Sequence, residues 1–101
     1  MKPYNVGIIG YGWAATAHIE AINNTGKARV TAICSSRKLD ARELSAQYGN
    51  PITTYTDVKA MLRDPAIDVV DITSHPWKHK EHAIAAARAG KHIILEKPMS
   101  L

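Results

Sequence analysis

Gly10-Tyr11-Gly12-Trp13-Ala14-Ala15 stands between a short apolar run at residues 6–9 and a stretch where Ala15, Ile19 and Ile22 recur at helical steps as far as Gly26. The order reads strand, tight turn, helix. In that setting the glycines have distinct tasks: Gly10 permits the sharp turn, Gly12 lets backbone come close to a bound group, and small Ala15 allows the helix to pack on the strand. Free amides and the positive end of a helix dipole then face whatever sits in the turn, which suits phosphate. The spacing GxGxxA in this context is the fingerprint of a dinucleotide site, with Gly10, Tyr11, Gly12, Trp13 and Ala14 as its contact residues. A tight turn that binds nothing has the same local pattern. Trp13 is either a wall of the site or a surface aromatic.

The same alternation continues along the chain. Residues 28–34 form a β-branched run, and 40–48 a helical pattern with Ala41, Leu44 and Tyr48 before Gly49. Residues 52–55 are a brief strand, and Thr56 is positioned to cap a short helix that stops near Asp64-Pro65. Residues 69–73 are a fourth strand. Pro76 opens a fourth helix running to Gly90, and 92–95 are a fifth strand. Glycines 26, 49 and 90 end three of the helices, where left-handed geometry favours them. Apolar strands alternating with helices predict an α/β, Rossmann-type doubly wound parallel sheet covered on both faces.

Length and composition bound the rest. With 101 residues, 46% hydrophobic and 22% charged, the chain is one globular unit spanning 1–101. A second, substrate-binding α/β domain would need roughly another 100 residues, so that domain is expected to be absent from this chain. The sequence ends just after strand five, whereas the full order 3-2-1-4-5-6 has a sixth strand. Strand five is then expected as an open edge carrying Ile93, Ile94 and Leu95, a place for self-association. The net charge of +4 is scattered, densest at Arg37-Lys38 and Lys78-His79-Lys80. That scatter argues against nucleic acid and suits a phosphate-rich small ligand. One cysteine, Cys34, fits a core position and a reducing compartment. No apolar stretch is long enough for a signal peptide or membrane span, which makes the cytoplasm the expected location. No metal-binding cluster is expected.

The end of strand two bears on which dinucleotide is held. An acid there, some 20 residues beyond the turn, would grip the ribose hydroxyls of NAD. The chain instead reads Cys34-Ser35-Ser36-Arg37-Lys38. Two hydroxyls, a guanidinium and an ammonium suit a 2′-phosphate, so NADP(H) is the expected preference and NAD(H) the other option. A solvated loop at the start of helix two would carry similar residues. S-adenosylmethionine, which usually calls for an acid at this place, is disfavoured.

Ala89-Gly90-Lys91-His92-Ile93-Ile94-Leu95-Glu96-Lys97-Pro98 is the most specific stretch. It resembles the AGKHVxxEKP signature of the glucose-fructose oxidoreductase and inositol dehydrogenase family, Gfo/Idh/MocA. The likeness extends over the whole chain, through the turn with His18 behind it, the Ser-Ser-Arg loop, Gln47-Tyr48-Gly49, and 68–73 followed by Ser74-His75-Pro76-Trp77-Lys78-His79. The last segment departs at His75 and Pro76 from the family's TPNxLH pattern. His75 reads as a loop histidine without special function.

The resemblance implies an NAD(P)-dependent oxidoreductase moving hydride between nicotinamide and a sugar, cyclitol or related polyol. It implies that Thr73, Ser74, His79, Glu96 and Lys97 lie along the cofactor, that Lys97 is catalytic and that the Lys97-Pro98 peptide is cis. In the family a histidine of the second domain usually serves as general base. This chain alone is therefore expected to bind cofactor without turnover. The alternative from another class is a regulatory module that senses the dinucleotide without catalysis.

Overall fold

A computed structural model describes residues 3–73 and 76–95, with side chains of residues 13, 14, 76, 77, 79 and 95 excepted. Five strands, β1 (Tyr4–Ile9), β2 (Ala28–Cys34), β3 (Thr53–Tyr55), β4 (Val69–Ile72) and β5 (His92–Leu95), form one sheet in the order β3-β2-β1-β4-β5. Every pairing is parallel. Between them run α1 (Trp13–Asn24), α2 (Ala41–Tyr48), α3 (Val58–Leu62) and α4 (Pro76–Arg88). The α/β doubly wound reading is therefore correct.

The apolar runs follow from burial on two faces. Val6, Ile8, Val30 and Ile33 pack with Ala15 and Ile19 of α1 and Leu44 of α2. Ile9, Ala32, Cys34, Val70 and Ile72 point the other way, against Met61 and Leu62 of α3 and Ala86 of α4. Gly7 belongs to this second face. A Cβ there would lie 3.2 Å from Met61 Cε and 3.4 Å from Ile67 Cδ1, so the missing side chain is what admits Met61. Cys34 is a buried free thiol, as a core position requires.

Several boundaries differ from the sequence reading. β1 starts at Tyr4 rather than residue 6, because groups outside the apolar run hold its first residues: Tyr4 N–H donates to the backbone carbonyl of Lys27 (3.0 Å) and Asn5 N–H to the side-chain Oδ2 of Asp68 (2.9 Å). β3 starts one residue late, at Thr53, since Ile52 N–H is taken by Ser45 Oγ (2.9 Å). Asp57, not Thr56, caps α3, its Oδ1 accepting from Lys59 N–H at 3.1 Å. β4 closes at Ile72, although Thr73 N–H still donates to Ile9 O (2.9 Å). α1 ends at Asn24 and α4 at Arg88, each followed two residues later by a left-handed glycine, Gly26 or Gly90.

Lys91, the lysine of the signature stretch, has a structural task. Its Nζ donates to the carbonyls of Asp64 and Ile67, each at 2.7 Å, tying the α3–β4 loop to the start of β5. Lys91→Met keeps the stem and leaves both partly buried carbonyls without their cation, so it should cost about 1–3 kcal/mol of folding stability. Urea unfolding checks this, and an unchanged midpoint contradicts it.

Candidate functional site: a phosphate turn and its cationic flank

Parallel sheets place loops that can bind ligands at the carboxyl ends of their strands. Here β1 ends at Ile9 and the chain turns at Gly10, whose φ of 94° is outside the range of ordinary side chains. The turn is held from both neighbouring strands. Gly10 N–H donates to Cys34 O at 2.8 Å. From beyond β4, the Thr73 hydroxyl donates toward Ile9 O (3.0 Å) and Gly10 O (3.1 Å). Thr73 is thus seated at the site as a strut for the turn.

Gly12 is the N-cap of α1, with extended backbone that any residue adopts (φ −106°, ψ −163°). It has no side chain to accept from the first amides, and no acidic residue occupies the first turn. Helices α2 and α3 are capped differently. Asp40 Oδ1 accepts from Arg42 N–H (3.0 Å) and Glu43 N–H (3.2 Å) at α2, and Asp57 does the same work at α3. A Cβ built on Gly12 meets nothing within 4 Å. Neither backbone geometry nor packing demands glycine here. What the space and the uncapped amides fit is an anionic group seated on the helix end, as the pyrophosphate of a dinucleotide would be.

The β2 end supplies the flank. Ser35 is buried, its N–H donating to Tyr55 O (3.0 Å) and its hydroxyl accepting from Arg37 N–H (3.3 Å). Ser36, Arg37 and Lys38 are exposed. Arg37 Nη2 reaches across to donate to Tyr11 O at 3.3 Å, which brings the guanidinium to the glycine turn. Lys38 also lines an open depression with Leu39, Asp40, Ala41, Arg42 and Thr54. The side chains of Trp13, Ala14 and His79 lie outside what is described, as do Ser74, His75, Glu96, Lys97 and the Lys97-Pro98 peptide.

Two contacts were not read from the sequence. Asp71, 1% exposed on β4, lies 2.7 Å from His18 Nδ1 on α1. The pair ties α1 to β4 behind the turn. An acid inside the apolar run 69–72 was the available signal. The second is the hydrogen bond between the phenols of Tyr11 and Tyr48, 3.1 Å apart.

Burial, and next its bond to Tyr11, pushes the Tyr48 phenol well above its ordinary value. Burial and the bond to Asp64 (3.1 Å) raise Tyr55 likewise. Cys34 is raised by burial and, less, by Asp57. These groups are acids whose folded pKa lies above the unfolded one. Their contribution to stability is therefore complete below the unfolded values, about 9 for the thiol and 10 for the phenols, and is lost as pH climbs through the raised values. Urea midpoints measured between about pH 8 and 11 should fall, and the fall should shrink in Tyr48→Phe and Tyr55→Phe. An equal slope in both variants contradicts the assignment.

Five parallel strands in this order, a GxGxxA turn and an uncapped helix end define a Rossmann-type dinucleotide-binding domain. Comparison with known proteins narrows the class. The model of the Gfo/Idh/MocA family, described as an oxidoreductase family with an NAD-binding Rossmann fold, matches residues 4–101, and the chain belongs to that family. It is 35% identical over 97 residues to an inositol 2-dehydrogenase/D-chiro-inositol 3-dehydrogenase of Lactiplantibacillus plantarum, covering 95% of this chain and 28% of that protein. It is also 35% identical over 101 residues to D-glucoside 3-dehydrogenase of Escherichia coli, covering 99% and 28%. Among solved structures, myo-inositol dehydrogenase of Lactobacillus casei in complex with NAD(H) and myo-inositol superposes with a TM-score of 0.86 at 29% identity, over 98% of this chain and 30% of that one. Biliverdin reductase of Synechocystis in complex with biliverdin and NADP+ gives 0.81 at 29% identity, over 99% and 31%. The chain thus spans under a third of these relatives. Among the described residues no helix is long and apolar enough to cross a membrane, and no cluster of His, Cys, Asp and Glu could hold a metal ion.

Proposed function

We propose that this chain is the cofactor-binding part of an oxidoreductase that takes NADP(H) in preference to NAD(H) and acts on a sugar, cyclitol or related polyol. The observation that carries the reading is the end of α1. A glycine with open space above it and no cap stands at that helix alone of α1, α2 and α3. The turn amides receive the pyrophosphate, and Thr73 keeps the turn in shape. Ser36, Arg37 and Lys38 answer the 2′-phosphate, where an acid would repel it. The nicotinamide, when bound, supplies the hydride chemistry.

Two inositol or glucoside dehydrogenases among the relatives support the substrate class. Lys97, two residues past the end of β5 in the sequence, is assigned to the substrate, its ammonium suited to orient or polarise a hydroxyl or carbonyl, with Glu96 assigned as its charge partner. Ser74 and His79 are assigned to the nicotinamide end. The general base is assigned to a second domain, so the chain alone holds cofactor without turning over. Dialysis against NADP+ followed by assay with polyols tests this. Retained NADP+ without polyol-dependent formation of NADPH is expected, and either no retention or steady turnover refutes it.

A further inference from the structure

Tyr48 lies on α2, outside the GxGxxA turn and outside the Ser-Ser-Arg loop. Its phenol oxygen is 3.1 Å from that of Tyr11, the residue between the two turn glycines. Both rings are half-buried and pack against the cluster of Val6, Ile8, Leu44 and their neighbours. Tyr11 is held at a second point, its carbonyl accepting from Arg37 Nη2 at 3.3 Å. Arg37 is itself braced by its own N–H on Ser35 Oγ. One chain of hydrogen bonds therefore runs from the C-terminal end of α2, through the middle of the phosphate turn, to the guanidinium assigned to the 2′-phosphate.

We infer that Tyr48 is a positioning residue for the dinucleotide: it fixes Tyr11, and through Tyr11 the spacing between the turn amides and Arg37. The inference rests on the reading of the turn as a dinucleotide site. A dinucleotide phosphate ligand spans two anion positions, so a site whose two halves are already in register loses less ordering entropy on binding. Arg37 spends one donor on Tyr11 O and keeps others for ligand. The Tyr48 phenol, raised by burial and by the bond itself, stays protonated through neutral pH, which keeps the tie intact under ordinary conditions.

The test is a double-mutant cycle on the two hydroxyls, with Tyr48→Phe, Tyr11→Phe and the double variant, each titrated with NADPH and each followed by urea unfolding. Each single variant should raise the Kd about three- to tenfold, the scale of one hydrogen bond. The double should be no weaker than the weaker single, because one bond is removed once. A merely structural role would lower the urea midpoint and leave the Kd where it was. An unchanged Kd in folded Tyr48→Phe, or losses that multiply in the double, overturns the inference. Should Tyr48→Phe not fold, Tyr11→Phe removes the same bond from the turn side and decides by its own Kd. If the unmodified chain binds neither NADPH nor NADH, the dinucleotide reading itself falls and takes the inference with it, a result distinct from normal binding by an insensitive Tyr48→Phe.

Discussion

Gly12→Asp should make the protein fold more stably and bind its dinucleotide at least about a hundredfold more weakly. The two effects have separate causes. Asp40 and Asp57 already cap α2 and α3 in this chain, and Gly12 has N-cap backbone with room for a side chain. An aspartate there satisfies a free amide and meets the positive end of the helix dipole, worth about 0.3–1 kcal/mol. The same carboxylate stands where the pyrophosphate must sit. Like charges brought together in a site cost several kcal/mol, and each 1.4 kcal/mol is about tenfold. Chemical denaturation and a cofactor titration on the same sample check both signs. A variant that binds normally would mean that the helix end is not the phosphate site, and a destabilised one would mean that Gly12 is there for the fold.

The second large effect concerns selectivity. Arg37→Ala should weaken NADPH about ten- to a hundredfold, the value of one charge-assisted contact of about 1.5–3 kcal/mol. NADH should lose less than about threefold, because it lacks the phosphate and loses only the brace on Tyr11 O. The guanidinium is exposed, so the NADPH loss should shrink at high salt. Equal losses for both cofactors would move Arg37 from the 2′-phosphate to the turn alone.

Much of this was legible in the sequence because the deciding features are local. The GxGxxA turn, the apolar runs of β1, β2 and β4, and the left-handed glycines after α1, α2 and α4 each announce themselves within a few neighbouring residues. Errors of one or two residues arose where a side chain outside the element sets the boundary: Asn5 and Asp68 lengthen β1, Ser45 shortens β3, and Asp57 rather than Thr56 caps α3. The contacts that were missed are those whose partners come together only when the sheet closes. Asp71 finds His18 across 53 residues, Tyr48 finds Tyr11 across 37, and Lys91 finds Asp64 O across 27. Periodicity assigns a residue to a face; it does not say which residue of another element will stand opposite.

Lys91 illustrates the limit of a motif. The signature stretch identified the family correctly, yet its first lysine is occupied with loop carbonyls. A residue of a family signature can therefore serve the fold. Thr73 has a similar place, bonded to the carbonyls of the turn.

The most direct measurement is a paired equilibrium titration of the unmodified chain with NADPH and NADH in one buffer at one ionic strength. Saturable binding of both, with NADPH tighter by about tenfold or more, is the expected result. Tighter binding of NADH, or no binding of either cofactor to the folded chain, would contradict the account.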